Sequence, residues 1–222
     1  MMGLYADSGR SLGRMSLTEQ AYHDIKDQIM ECRLQPGQLL NESQLVKELG
    51  YGRTPTHEAL NQLDHEKLVE ILPRKGVMVA PLSLNDVLET AEVRIACECL
   101  SVTLACERAT QAELGGLRDI IDQMLPVVGR REVTSMMKLD LRFHRAIAAS
   151  TRNQTLVDSI TNLHERQVRF WFITLSESEH MKDTYDEHST ILDALMTRDV
   201  ESARSAMEYH IRQFQRTAVH IL

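Results

Sequence analysis

No apolar run in the 222 residues approaches the roughly 20 needed to span a bilayer. The opening stretch MMGLYADSGRSLGR, residues 1–14, has no apolar core of a secretion signal. A flexible leader, cytoplasmic residence and no membrane partner are therefore expected. The four cysteines (Cys32, Cys97, Cys99 and Cys106) contain no CxxC pair, which excludes the usual zinc-finger spacing and gives no disulfide framework. They read as small core residues. No HExxH or phosphate-binding loop occurs, and no acid or base stands at a telling catalytic spacing. Internal repeats and low-complexity segments are missing as well. Positive charge is in deficit: the net charge is −7, split as −2 over residues 1–80 and −5 over the remainder. That balance excludes a general polyanion binder, so any nucleic-acid surface has to be a local patch.

What is present is an ordinary soluble composition, 43% hydrophobic and 26% charged, over a length that suits one large domain or two small ones. Ser16 opens a first helix with capping-box spacing in SLTE, running to about Cys32 with Ala21, Ile25 and Ile29 buried. Pro36-Gly37 breaks the chain. Asn41 caps a second helix in which Gln44 completes another capping box, Leu45 and Leu49 face inward and Gly50 is the stop. A third helix, 54–66, is expected to start with Thr54 as N-cap and Pro55 at its first position. Val69 to Leu72 and Val77 to Ala80 are β-prone runs around Pro73-Arg74-Lys75-Gly76, a hairpin. Three helices and a hairpin over residues 15–80 describe a winged helix-turn-helix, a module that binds DNA or, less often, protein.

From residue 84 to 222 the period is purely helical. Six helices are expected: 84–109 with Leu88, Ala91, Ile95, Val102, Ala105 and Ala109 inward, then QAELGGLRDIIDQMLPVVG, 131–150, Asn153 to about Leu175, Ser178 to Met196, and Val200 to His220. Short links make this an antiparallel bundle able to hold a cofactor, so the fold class is mainly α with a small β wing.

Within LDLRFHRAIAAS, residues 139–150, Asp140 and His144 stand one helical turn apart on a face shared with Met137, Ile147 and Ala148. His188 shares a stripe with Ile191, Leu192 and Leu195, and His210 one with Val200, Ala203, Met207 and Phe214. If Arg198-Asp199 is the tip of a helical hairpin, 188 and 210 lie equally far from it and their imidazoles stand at one height. One oxygen and three nitrogens converging in an apolar interior suit a divalent metal, Zn²⁺ first, with Ni²⁺ or Mn²⁺ as alternatives. Several buried polar groups without a common partner would each carry a desolvation cost, which favours the ligand reading over four unrelated core residues. His164, His180 and His220 have no partner at ligand spacing and read as surface or packing residues. A metalloenzyme is the rival function; a metal that only staples the bundle is a third.

The stretch 17–80, with PGQLL, ESQLVKELG, RTPTHEAL, LDHEKLV and PRKGVMV in order, resembles the GntR family of bacterial transcription regulators. That resemblance implies a DNA surface built from Asn41, Glu42, Arg53, Thr54, Thr56, His57, Asn61, Arg74 and Gly76. The chain departs from the family at Tyr51-Gly52, where Val-Ser is usual, and at His57, where an arginine is usual. Imidazole is a poorer phosphate or guanine contact than guanidinium, so operator binding at neutral pH is expected to differ. Residues 84–220, through LETAEVRIACECL, DLRFHRAIAAS, Asn153, EHSTILDAL and AMEYHI, resemble the ligand-binding FCD domain of the FadR-like branch. By that resemblance Asp140, His144, His188 and His210 hold the metal and a small carboxylate metabolite completes its shell. Arg94 matches an arginine that reaches the carboxylate, or else it pairs with Glu98 four residues on. Arg166 and Arg169 are further effector candidates. The function implied is a homodimeric regulator, a repressor released by its metabolite, on a double-stranded operator with palindromic half-sites.

Overall fold

In the computed structural model, residues 15–174 and 180–221 are described. The expected leader 1–14 and the expected helix ends at Leu175 and Ser178 lie outside them. The chain divides into two compact units, residues 1–82 and 83–222.

In the first unit, α1 (Leu17–Met30) starts at a complete Ser16–Glu19 capping box. It buries Ala21, Ile25 and Ile29 against α3 (Arg53–His65), which contributes Ala59, Leu60 and Leu63. Lys26 is also buried, where its ammonium donates to Tyr22 Oη at 2.8 Å and Glu66 Oε2 at 3.0 Å. Between them α2 (Glu42–Leu49) is capped by the Asn41 side chain and stopped by Gly50 in the left-handed region.

Three local expectations are corrected. Gln44 turns its side chain to Glu48 at 2.8 Å, so only the Asn41 half of the second capping box forms. The third helix starts at Arg53, one residue before the expected cap, because Gly52 at φ +85° takes the N-cap position and Thr56 Oγ1 donates to its carbonyl at 2.8 Å. The hairpin strands are β2 (Val69–Leu72) and β3 (Gly76–Val79), joined antiparallel with Leu72 opposite Gly76. A further strand, β1 (Leu39–Leu40), pairs with β3, giving the order β1-β3-β2. Two residues are too few to carry a period, which is why it escaped the sequence pattern.

The second unit is the six-helix bundle: α4 (Leu84–Arg108), α5 (Gln111–Arg130), α6 (Val133–Ser150), α7 (Gln154–Thr174), α8 (His180–Met196) and α9 (Val200–Ile221). Helix α4 packs on α6, α7 and α9, α5 on α6 and α8, and α8 on α9. The α8–α9 turn is pinned by Arg198, whose guanidinium donates to the carbonyls of Cys106 at 2.8 Å and Ala109 at 2.5 Å, satisfying acceptors left open at the end of α4. The core face of α4 is rotated from the expected stripe. Leu88 and Ile95 are half-buried, while Val87, Ala91, Arg94, Glu98, Val102 and Ala105 point inward. Two charged side chains at core positions of a long helix require partners inside the bundle.

Candidate metal centre

Helix α6 contributes Asp140 and His144, and the α8–α9 hairpin brings His188 and His210 to the same depth, as its pinned tip requires. One ligand-capable atom from each of the four lies within 4.8 Å of all the others, and all four residues are buried. Asp140 Oδ1 is 3.3 Å from His188 Nε2 and 3.9 Å from His144 Nε2, and the two Nε2 atoms are 3.2 Å apart. Phe143 forms an apolar wall, its ring 4.5 Å from that of His188.

Carboxylates behind the rings hold two imidazoles in orientation. Glu98 Oε2 accepts from His144 Nδ1, and Glu187 Oε2 lies 2.7 Å from His210 Nδ1. The remaining nitrogen of each ring is Nε2, the atom left to face the centre. This is the carboxylate–histidine arrangement that supports metal ligands in general. Burial works against the charged form of Glu98, but Arg94, His144 and His164 outweigh it and hold its carboxyl well below the usual range. Burial, followed by the neighbouring His210 and His144, keeps His188 far below the ordinary imidazole value. Burial and then His144 press His210 down to about 3. His188 and His210 are therefore neutral, the form that coordinates metal.

The donor set fits a divalent cation. Ligand atoms about 2.0–2.1 Å from a tetrahedral Zn²⁺ stand roughly 3.3 Å apart, close to the 3.3 Å between Asp140 Oδ1 and His188 Nε2 and the 3.2 Å between the two Nε2 atoms, with the 3.9 Å to His144 wider. Asp140 Oδ1 and His188 Nδ1 are buried without a hydrogen-bond partner, so the carboxylate oxygen nearest the rings has its lone pairs uncommitted. A second trio, Glu98, His144 and His164, is also close enough to ligate, but Arg94 places Nη2 2.7 Å from His164 Nε2 and Nε 2.7 Å from Glu98 Oε1. A guanidinium in that position excludes a second cation.

His164, read as a surface or packing residue, is buried in α7, and its Nδ1 lies 3.5 Å from Asp140 Oδ2. Its place on the Leu156, Ile160, His164, Val168 stripe was the available signal. The side chains of His180 and His220 lie outside the described ones. Among the effector candidates, Arg94 is buried and paired with Glu98, and it also donates to Gln167 Oε1 at 2.5 Å. Arg169 is buried in α7, whereas Arg166 is exposed. Glu98 was legible only as an ion-pair partner, and Gln167 and Glu187 carried no signal. An 820 Å³ cavity beside the centre, between α8 and α9, is lined by His210 and Glu187 with Trp171, Tyr209, Phe214 and Arg216.

On the DNA-binding candidates, Arg53, Thr54, His57, Arg74, Asn41 and Gly76 are exposed and Asn61 and Glu42 half-buried. His57 Nδ1 lies 3.5 Å from Glu42 Oε2. Thr56 is corrected: fully buried, with its hydroxyl given to Gly52, it holds the helix start and does not face solvent. Arg74 at φ +65° and Gly76 at φ +103° form the tip of the wing, and a Cβ on Gly76 would lie 3.1 Å from the Leu40 carbonyl oxygen.

Comparison with known proteins places these two units in one family. Residues 17–79 match the gntR family of bacterial regulatory proteins and residues 89–213 match the FCD domain. An HTH-type transcriptional regulator of Agrobacterium vitis is 36% identical over 149 residues, 66% of this chain and 85% of that protein. The HTH-type transcriptional repressor GlaR of Escherichia coli is 28% identical over 208 residues, 89% of this chain and 94% of that one. The solved structure of E. coli McbR/YncC superposes with a TM-score of 0.84 at 22% identity, covering 94% of this chain and 99% of that one, which shows a shared fold. The relatives are transcriptional regulators and not enzymes, which removes the metalloenzyme reading. The chain belongs to the GntR family: it is a transcriptional regulator with a winged helix-turn-helix of the kind that binds DNA, followed by an FCD domain.

Proposed function

We propose that this regulator is a metal-dependent, metabolite-responsive repressor. Its bundle holds a divalent metal, Zn²⁺ first by donor chemistry, on Asp140, His144, His188 and His210, and takes up a small carboxylate. The observation that carries the reading is a buried carboxylate oxygen without a hydrogen-bond partner among three imidazoles, with one ligand-capable atom of each within 4.8 Å of the others. A bound metal would supply positive charge that the single Asp140 carboxylate leaves incompletely neutralised, and an apolar interior favours an anion to balance it. Arg169 remains a candidate for that anion; Arg94 already has three of its nitrogens engaged.

The DNA surface consists of Arg53 and Thr54 at the start of α3, His57 and Asn61 along it, Asn41 and Glu42 at the start of α2, and Arg74 and Gly76 on the wing. A helix N-terminus with open N–H groups next to an arginine favours a phosphate. Two copies would read two half-sites about one helical turn apart, so a small shift in the bundle changes how well both recognition helices fit. The exposed Val93 and Leu100 on α4, beside half-buried Cys97, Leu104 and Val157, are an apolar face suited to a second copy. Two relatives in E. coli, RspR and GlaR, are named repressors, which favours that sign of control.

The test is an electrophoretic mobility shift of the Zn²⁺-loaded protein on DNA from upstream of its own coding region, with small carboxylates titrated in. A specific, salt-sensitive complex that a carboxylate dissociates is expected. No specific complex rejects the operator; a complex indifferent to chelator and to every carboxylate rejects the sensor.

A further inference from the structure

Arg94 and His164 form a hydrogen-bond relay whose direction can be worked out atom by atom. Gln167 donates its amide nitrogen to the Val87 carbonyl at 3.3 Å, which turns its Oε1 toward Arg94 Nη1 at 2.5 Å. Glu98 Oε1 receives Arg94 Nε at 2.7 Å. The guanidinium is thus held at two edges, and its third nitrogen, Nη2, stands 2.7 Å from His164 Nε2. Glu98 Oε1 also lies 3.2 Å from His164 Nε2, but that oxygen already receives Arg94 Nε, and the shorter contact is with the guanidinium, which has donors only, so Nε2 presents its lone pair to Nη2. The ring then carries its single hydrogen on Nδ1, the atom facing Asp140 Oδ2 at 3.5 Å. On the other branch the ionised Glu98 carboxylate only accepts, so His144 carries a hydrogen on Nδ1, and Nε2 is the atom it turns to the centre.

We infer that Arg94, through His164 on one side and Glu98 on the other, is the positioning residue that sets both ligands of α6. The first branch aims an N–H at Asp140 Oδ2 and leaves Oδ1 for the metal; the second frees His144 Nε2. This rests on the proposed metal site. It moves Arg94 from effector contact to orientation of the ligands, and gives His164 a task that the spacing of the four ligands did not suggest. Both relay residues are almost wholly buried, at 2% exposure each, so neither is arranged to meet solvent or a passing metabolite first.

The experiment has two arms on the full-length protein. In the first, Zn²⁺ is titrated against a chromophoric chelator into wild type, His164→Leu and His164→Asn. Loss of an orienting partner weakens metal affinity by about 10–100-fold, and that loss is expected for His164→Leu. His164→Asn, which keeps a donor where Nδ1 stood, is expected to recover most of the affinity. A role in packing alone predicts the opposite order, since leucine fills an apolar volume better than asparagine. In the second arm, ¹⁵N–¹H correlation spectra of histidine-labelled, metal-free wild type report the His164 tautomer, whether or not a variant folds. Hydrogen on Nδ1 supports the relay; hydrogen on Nε2 overturns it. Unchanged Zn²⁺ affinity in His164→Leu overturns this inference and leaves the metal site standing. A wild type with no Zn²⁺ affinity overturns the metal site itself.

Discussion

Acid should loosen the metal-free bundle well above the pH at which carboxylates titrate. Three imidazoles, His164, His188 and His210, are kept neutral chiefly by burial, the last down to about 3. In the unfolded chain each returns to about 6.5. The unfolded state then binds protons that the folded state refuses, so stability falls as pH drops below about 6.5 and goes on falling until the folded values are reached. Between pH 7.5 and 5.5 each such group costs about 1.4 kcal/mol, and three together about 4 kcal/mol as an upper figure. For a unit of this size that is a fall in Tm on the order of 10 °C. Glu98 has the opposite sign: its depressed carboxyl stabilises above about 4.5 and loses that effect only below, outside this window. Trp171, the single tryptophan, is buried in the bundle and stacked on Phe214 with ring centroids 5.6 Å apart, so its fluorescence reports this unit. Urea titrations of chelator-treated protein at the two pH values, followed at Trp171, give the comparison. Equal midpoints would mean that the rings accept protons inside the fold and that the centre is an ion-paired network with no free lone pairs.

Other perturbations have equally definite outcomes. Glu98→Gln keeps the shape of the side chain but strips Arg94 of its buried anion, and is expected to destabilise the bundle by about 3–5 kcal/mol in the same Trp171 assay; a neutral result removes the ion pair from the account. Gly76→Ala forces a side chain into φ +103° and against the Leu40 carbonyl, costing about 1–3 kcal/mol; hydrogen exchange should speed up across β1–β3 while the Trp171 transition stays put. Arg53→Ala should weaken operator binding on every sequence alike and lower the slope of log K against log salt by about 1 per chain. A change confined to one base position would instead make Arg53 a base reader.

The parts of the fold carried by periodicity and punctuation were legible: the Ser16 capping box, the Gly50 stop, the hairpin and six helices whose apolar stripes repeat every three or four residues. Asp140 and His144 could be put on one face by their spacing, and His188 and His210 at one depth by their equal distance from the hairpin tip. The rest depended on contacts between distant segments. Strand β1 exists only because β3 offers it an edge. Arg94 and Glu98 sit at core positions of α4, but charge at a core position reads as solvent-facing until a partner is known, and the partners are 46 to 73 residues away on α6 and α7. The reading of His164 as a surface or packing residue stopped there for the same reason: it is buried on its apolar stripe, and its neighbours Arg94 and Asp140 lie on other helices. The start of α3 was displaced because Gly52 adopts a positive φ that the sequence alone does not impose.

The centre is tested most directly by an anomalous difference map, recorded above and below the zinc edge, from crystals of protein purified without chelator. The account predicts one peak per chain at coordination distance, about 2.0–2.2 Å, from Asp140, His144, His188 and His210. A map with no peak among those four side chains, or with its peak between Glu98 and His164, contradicts it.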